Sequence, residues 1–315
     1  MKGKQLKRLQ HRQAGFTLLE LLVVITLIAT LATAALVAYD GIGDSAQATA
    51  ASNSTATADG AIRNYRAVTQ KFPDQWDNLV VGSGASAGSA PAFMAAATAS
   101  KFSNWSVPAS ASAFGLALND AMAAVNITEI QERTVATTTA GIEPNLQHNE
   151  GAVFTVSPTD AAENDWNAIT NVAILPTFGT AACQVNSVAL PVTKLSGDPI
   201  NGDDGARQNV INDSLESDQC NLVIALGFGH DAAHSTSNSS VAISTAPTFV
   251  SKNINPAVNY ARYIALFHVG QDGANAGTVD NNIVAGELFT KPRLLAVVDT
   301  EGRMIDENIA DQNPN

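Results

Sequence analysis

The sequence predicts an α+β protein: a long N-terminal helix, membrane-spanning in its first half, packed on a globular head with an antiparallel sheet. Three observations lead to this prediction. Residues 16–39 are an apolar run, residues 44–71 are rich in alanine and free of proline, and short β-branched runs bounded by turn residues follow from about residue 150. One long helix followed by several short strands is typical of the α+β class.

The first element is a basic leader, residues 1–15, which contains no acidic residue. Its cationic side chains are Lys2, Lys4, Lys7, Arg8 and Arg12. Removal of these 15 residues leaves 12 of the 17 basic residues and all 29 acidic ones, so the formal charge moves from −12 to −17. A mature domain this acidic lacks the basic footprint of a nucleic-acid-binding protein, and we expect no nucleic-acid partner.

The second element, residues 16–39, carries one charged side chain, Glu20. As a helix this run is about 36 Å long, which is enough to span a bilayer core. Basic residues precede the run and none follows closely, so we expect a single span with a cytoplasmic N-terminus. A carboxylate inside a membrane helix costs roughly 2.5–3.5 kcal/mol, so Glu20 needs a partner or a function. Cleavage after Gly15 would create a positive amine on Phe16, on the same helical face as Glu20.

Gly15-Phe16-Thr17-Leu18-Leu19-Glu20 and the apolar run resemble the class III signal of type IV pilins and type II secretion pseudopilins. The resemblance implies cleavage between Gly15 and Phe16 by a prepilin peptidase, N-methylation of Phe16, and an assembly contact from Glu20 to the N-terminal amine of a neighbouring subunit. It also implies identical or related pilin subunits as partners and a bacterial inner membrane location, with the head in the periplasm or in a surface filament. The alternative is a plain signal anchor that carries a glutamate.

The chain departs from the family pattern late in the apolar run, where many members carry a proline and this chain has Leu36-Val37-Ala38. We therefore expect a bend or local unwinding at Gly41 and Gly43 instead.

The third element, residues 40–72, is predicted to extend the helix into the head. Ile62, Tyr65 and Val68 recur at helical spacing, and Ala46, Ala50 and Ala61 are the expected small contacts. Pro73 is expected to end the helix. The alternative for this Ala/Thr/Ser-rich stretch is a flexible linker.

The rest of the chain, residues 73–315, is predicted to be the head. Residues 74–79 are interpreted as a turn and a short amphipathic piece with Trp76 buried, and residues 113–133 as a helix. Residues 82–112 have the Gly/Ala/Ser composition of a loop, parts of which pack through Phe93, Phe102 and Trp105. Strands are predicted at 153–156, 170–175, 221–226 and 263–269, and a hairpin at 294–305 around Thr300-Glu301-Gly302.

The head contains two cysteines, Cys183 and Cys220. In an exported domain such a pair is expected to form a disulfide, and in the cytosol two free thiols. The anchor implies export, so we favour the disulfide, worth roughly 3–4 kcal/mol for a loop of this length.

Two oxygen-rich clusters are weak Ca²⁺ candidates. One contains Asp198, Asp203 and Asp204, and the other contains Asp272, Asp280, Asn281 and Asn282. Neither follows the EF-hand spacing, and the alternative is ordinary turn chemistry. His230 and His234 have the i, i+4 spacing of a helical metal site, but the flanking Gly, Ser and Asn residues indicate exposed loop histidines. We therefore expect no cofactor apart from this weak Ca²⁺ candidate.

No motif for a catalytic nucleophile or a nucleotide is present, and we expect that the protein is not an enzyme. The sequence predicts a structural subunit of a type IV pilus or type II secretion pseudopilus. The alternative is a minor or tip pilin-like protein, membrane-tethered, that binds a ligand in adhesion or DNA uptake, which the size of the head would suit.

Overall fold

The protein has an α+β fold, as the sequence predicted, and its chain divides into two compact units, Met1–Ala46 and Gln47–Asn315. A computed structural model describes residues 17–73, 75–82, 85–91, 94–133, 161–177, 183–211, 215, 220–227, 254, 259 and 262–310. The helices of this part are α1 (Leu18–Thr69), α2 (Ala96–Ala99), α3 (Ala113–Ala124), α4 (Gly202–Ile211) and α5 (Ile305–Ala310).

The same part of the chain contains two sheets. The strands of the larger sheet are β1 (Gln75–Val81), β2 (Ser103–Ser106), β3 (Glu129–Arg133), β4 (Ala161–Asp165), β5 (Asn171–Ile174), β8 (Asn221–Gly227), β9 (Ile264–Gln271) and β11 (Leu288–Val298). The strands of the smaller sheet are β6 (Gln184–Val185), β7 (Val188–Ala189) and β10 (Asn282–Ile283).

Helix α1 is 52 residues long and runs through Gly41 and Gly43 without a break. The predicted local unwinding at these glycines is therefore wrong. Glycine lowers helix propensity by about 1 kcal/mol, but its backbone still makes the helical hydrogen bonds.

In the second unit, α1 buries a stripe of mostly small side chains at helical spacing, which excludes a flexible linker. The stripe consists of Ala48, Ala51, Thr55, Ala58 and Ile62. Ala46 and Ala50 are exposed, as is Val68, so only Ile62 of the predicted apolar contacts is fully buried. Alanine occurs on every face of this helix, so the sequence pattern could not indicate which alanines pack.

The larger sheet has the order β11-β9-β8-β1-β3-β4, and β2 joins through β5, which pairs with β8. Its pairs are antiparallel as predicted, with the exception of β1 and β3, which are parallel. Edge strand β11 is contacted by α1, since Arg63 donates to the carbonyls of Leu294 and Leu295 at 3.4 and 2.8 Å.

Both faces of this sheet are covered. Along β8, Leu222, Ile224 and Leu226 join the cluster that includes Ile62 of α1, whereas Val223 and Ala225 join a second cluster on the opposite face. A strand that is buried on both faces has an almost continuously apolar sequence, and this explains the composition of residues 221–226.

Residues 75–81 correct the first head prediction, because they form strand β1 rather than a turn and an amphipathic piece. Trp76 is buried as expected, and its ring meets Phe267 edge-on at 5.1 Å. Asp77 and Asn78 interrupt the apolar pattern that marks a buried strand. The amide of Asn78 donates to the carbonyl of Asn171 at 2.9 Å, and this bond compensates for burial of a polar side chain inside the sheet.

Residues 113–133 are a helix followed by a strand, so the predicted single helix is wrong. Helix α3 starts at the N-cap Ser112 and ends before Asn126, whose φ of 70° lies in the left-handed region. Ile130 is therefore in β3, where it pairs with Trp76 of β1. Within α3, Leu116 is 54% exposed.

The predicted C-terminal hairpin is also wrong. β11 pairs with β9, and the turn after it leads into α5 rather than into a returning strand. The carboxylate of Asp299 accepts from the backbone N–H groups of Glu301 and Arg303 at 2.9 and 2.8 Å and so forms the turn. Asp306 and Glu307 then lie in the first turn of α5, where acidic residues favour a helix.

The predicted loop 82–112 contains two short elements, α2 and β2, and its aromatic side chains Phe102 and Trp105 are buried as expected. Phe93 and the predicted strand 153–156 lie outside the described residues.

Cys183 and Cys220 form a disulfide with a Cα–Cα distance of 5.6 Å, as the export argument predicted. Cys183 directly precedes β6 of the smaller sheet, and Cys220 directly precedes β8 of the larger one. The disulfide thus ties the two sheets together.

Candidate functional site

The first turn of α1 is built by two residues of the sequence signal, Thr17 and Glu20. The Glu20 carboxylate accepts from both the backbone N–H and the hydroxyl of Thr17, with Oε2 at 2.9 and 3.0 Å from the donors. In return, the backbone N–H of Glu20 donates to the Thr17 hydroxyl at 3.3 Å. This is a capping box, in which residues three apart satisfy backbone groups that the start of a helix leaves unpaired.

The capping box uses one carboxylate oxygen of Glu20. Among the described residues, nothing donates to Oε1, and the side chain is exposed. A cation can therefore approach Oε1 while Oε2 continues to cap the helix. The carboxylate is fixed at the helix start, at the end that the positive pole of the helix dipole makes favourable for an anion.

Helix α1 continues from this turn as an exposed apolar segment. Leu18–Val37 has a mean hydropathy of 2.3, and none of it is buried, so it is long and apolar enough to cross a membrane. Its threonine hydroxyls donate within the helix: Thr26 to the carbonyl of Val23 and Thr30 to that of Leu27, both at 2.9 Å. Internal hydrogen bonds of this kind lower the cost of placing a hydroxyl in a hydrocarbon environment.

The structure does not bring all of the sequence-predicted residues together. Gly15 and Phe16 lie outside the described residues, as do His230 and His234. Cleavage after Gly15 and methylation of Phe16 therefore remain predictions.

In the first Ca²⁺ candidate, Asp204 lies at the start of α4 and Asp198 in the turn before it, whereas the side chain of Asp203 lies outside the described part of the structure. Asp204 and Asn201 form a capping box for α4, with reciprocal bonds of 2.9 and 3.0 Å. Asp204 also forms an ion pair with Lys194 at 3.1 Å. Asp198 accepts from the Ser196 hydroxyl at 2.8 Å. These carboxylates serve a helix cap, an ion pair and a turn.

The second Ca²⁺ candidate is a loop held by buried carboxylates. Asp272 is 1% exposed, and its two oxygens accept from the backbone N–H groups of Asp280 and Asn281 at 3.1 and 2.8 Å. Glu287 is 2% exposed and accepts in the same way from Gly273 and Val284, each at 3.0 Å. Charge-assisted bonds to backbone N–H groups account for these buried acids. Among the described residues, no group of three or more His, Cys, Asp or Glu side chains could hold a metal ion.

Thr17 is the functional residue that the sequence reasoning missed. The signal for it was present: Thr17-Leu18-Leu19-Glu20 before an apolar run matches the Ser/Thr-x-x-Glu pattern of a capping box.

Comparison with known proteins gives one finding, at the N-terminus. Residues 10–36 match the family model of the prokaryotic N-terminal methylation motif, the signature of the prepilin-type signals of type IV pilins and pseudopilins. The matched segment contains the Gly15–Phe16 junction, the Thr17–Glu20 capping box and most of the apolar segment. No curated protein and no solved structure gives a match to the chain. The motif is that of a structural class of proteins, precursors that carry a pilin-like signal.

Proposed function

We propose that this chain is a filament subunit precursor, assembled through its N-terminal helix into a type IV pilus or a type II secretion pseudopilus. The observation that carries the proposal is the capping box of Thr17 and Glu20 at the start of an exposed apolar helix, inside a methylation motif. In the described residues, one helix carries both an apolar segment long enough for a membrane anchor and a carboxylate held in a fixed position.

The proposed processing follows from the position of the motif. A prepilin peptidase on the cytoplasmic side cuts between Gly15 and Phe16 and methylates the new amine of Phe16. The leader carries five Lys and Arg residues, and no Lys or Arg follows the apolar segment before Arg63, so the positive-inside rule orients the N-terminus toward the cytoplasm and the head toward the periplasm. The apolar segment Leu18–Val37 then holds the subunit in the inner membrane until assembly.

The proposed assembly contact is an ion pair in the apolar interior of the filament. The Phe16 amine of one subunit pairs with Oε1 of Glu20 on a neighbour, and the capping box holds the acceptor in place through Oε2. An ion pair away from water is strong when both partners are fixed, and a missing partner leaves a costly unpaired charge. The contact therefore sets the register between subunits.

The test has two parts. Mass spectrometry of the membrane-extracted protein is expected to find methylated Phe16 at the N-terminus, and an unprocessed or unmethylated terminus in a host with an active prepilin peptidase would contradict the proposal. Glu20→Ala is expected to stay in the membrane, correctly cleaved, but to be missing from sheared filaments. Normal incorporation of Glu20→Ala would refute the register contact.

A second role within the same class is a minor or tip subunit with a binding head. The observation in its favour is the size of the second unit, Gln47–Asn315, which is large for a repeating surface subunit. The abundance in sheared surface material separates the two roles, because a main subunit dominates it and a tip subunit is scarce.

A further inference from the structure

A surface cavity of about 400 Å³ lies between α4, α5 and the residues that follow α2. Three cationic side chains, two carboxylates and two apolar side chains line it. These residues are Lys101, Lys194, Arg207, Asp204, Glu307, Val210 and Met304. The segment after β7 is held against the end of α2 by backbone bonds, from Leu195 N–H to Phe102 and from Ser196 N–H to Ala99. The cavity is thus part of the folded head.

The two carboxylates of the cavity already have partners. Asp204 accepts from Lys194 through both oxygens, at 3.2 and 3.1 Å, and from the backbone N–H of Asn201. Glu307 accepts from Arg207 at 3.2 Å and from the backbone N–H of Met304 at 2.8 Å. Each carboxylate is therefore already paired with a cationic side chain of the cavity.

The guanidinium of Arg207 is not fully used. Its side chain is 10% exposed, and Nη2 donates to the Gly302 carbonyl and to Glu307. In the described part of the chain, Nε and Nη1 have no hydrogen-bond partner, although both atoms are buried. A buried charged donor without a partner is costly, and no hydrogen bond balances the positive charge at these two atoms, so an anion in the cavity would lower that cost.

The cavity has one more cationic side chain than it has carboxylates, and this excess of positive charge affects Lys101. Its ammonium is 3.9 Å from Glu307, the longest ion pair in the cavity. Burial lowers the pKa of Lys101, and the charge of Arg207 lowers it further, with a smaller contribution from Arg303. Glu307 and Asp204 act in the opposite direction and do not cancel the shift.

We infer that this cavity binds a small oxyanion, a carboxylate or phosphate group, held by the ammonium groups of Lys101 and Lys194 and by the charge of Arg207. Its volume is in the range of about 300–1,000 Å³ that is typical of small-molecule sites. The formal charge of the chain is −12, so a polyanion such as nucleic acid is repelled by the rest of the surface, whereas one small anion fits the local excess.

Isothermal titration calorimetry on the full chain in neutral detergent, at constant ionic strength, tests this inference. Inorganic phosphate and acetate are the two probes, because they separate a phosphate source from a carboxylate source. Saturable binding of at least one is expected. Lys101→Gln should weaken it about tenfold, the size of one lost charge-assisted contact. The control Lys291→Gln removes the same charge on exposed residue 291 of β11 and should leave affinity unchanged.

A second variant keeps the test decisive. Arg207→Gln should abolish binding, and its melting temperature shows whether the head still folds; if it does not, Lys101→Gln alone decides. Binding of phosphate alone indicates a phosphate-bearing ligand, and binding of acetate indicates a carboxylate. The inference is overturned if neither probe binds up to about 10 mM, or if Lys101→Gln and Lys291→Gln bind equally well.

Discussion

Thr17 and Glu20 hold each other at the first turn of α1, each accepting a backbone N–H of the other. The residue proposed to set the register between subunits is therefore also the residue that starts the helix. These two roles use different properties of the side chain. Capping needs an acceptor oxygen, whereas pairing with an amine needs a negative charge.

The two roles can be separated by mutation. Glu20→Gln retains an acceptor for the capping box but removes the charge, so we expect a processed, membrane-inserted protein that does not enter filaments. Thr17→Val removes the hydroxyl cap, which costs about 1 kcal/mol, but leaves the charge, so we expect assembly to be largely retained. Quantitative immunoblots of sheared filaments and membranes measure both. Normal assembly of Glu20→Gln together with a defect in Thr17→Val would mean that the cap, rather than the charge, matters.

The disulfide between Cys183 and Cys220 is expected to be a major stabilising feature of the head. It closes a loop with a sequence separation of 37 residues between the smaller and larger sheets. The double variant Cys183→Ser, Cys220→Ser should lose about 4 kcal/mol of unfolding free energy. Urea unfolding of the detergent-solubilised protein, followed by tryptophan fluorescence, measures the loss. Dithiothreitol should destabilise the wild type and leave the double variant unchanged, and equal stability of the two proteins would contradict the prediction.

His268 should make the head less stable at mildly acidic pH. It lies in β9 against Phe289, with ring centroids 4.8 Å apart, and burial lowers its pKa to about 4, assisted by the charge of Arg293. Between pH 6.5 and 4, the unfolded chain binds a proton at this site that the folded chain does not. Stability is therefore complete above pH 6.5 and declines as the pH falls, by about 3 kcal/mol at pH 4.

His268→Leu isolates this contribution. As the pH falls from 7.5 to 4.5, the unfolding free energy of the wild type should decrease relative to that of the variant. Chemical denaturation at a series of pH values measures this difference. A difference that does not depend on pH would show that His268 is protonated equally in both states.

The loop of residues 272–288 should depend on its buried carboxylate rather than on a metal. Asp272→Asn keeps the size of the side chain but turns one acceptor into a donor that faces backbone N–H groups, so we expect a loss of about 1–3 kcal/mol. The matched control is Asp280→Asn on the exposed side of the loop, where the loss should be under about 1 kcal/mol. Thermal melts with EDTA should match those without it. A fall in melting temperature with EDTA, reversed by Ca²⁺, would show instead that Ca²⁺ binds.

The helices and strands predicted correctly are those whose sequence carries a local signal. The apolar segment, the helical extension to Thr69 and strands β5, β8 and β9 follow from periodicity and from β-branched runs bounded by turn residues. The wrong predictions concern residues whose secondary structure is set by pairing with strands that are distant in the sequence. Residues 75–81 become a strand because β3 and β8 lie on either side, and residues 294–298 pair with β9 instead of with a following strand.

The candidate site divides in the same way. Glu20 was evident from the sequence because a lone carboxylate in an apolar run is costly and therefore informative. The cavity near Arg207 was not, since Lys101, Lys194 and Arg207 are far apart in the chain and none belongs to a motif. Only the packing of α4 and α5 places them together.

The sequence by itself determined the N-terminal methylation motif, an apolar helix long enough to cross a membrane, the α+β class and, through the export argument, the disulfide. Each depends on residues close together in the chain or on composition, because length, hydropathy and local spacing fix a helix start and an anchor. The tertiary structure alone decided the sheet order, the parallel pairing of β1 with β3 and the cationic cavity. Those features depend on contacts between distant residues, whose free energy is gained only when the whole head packs.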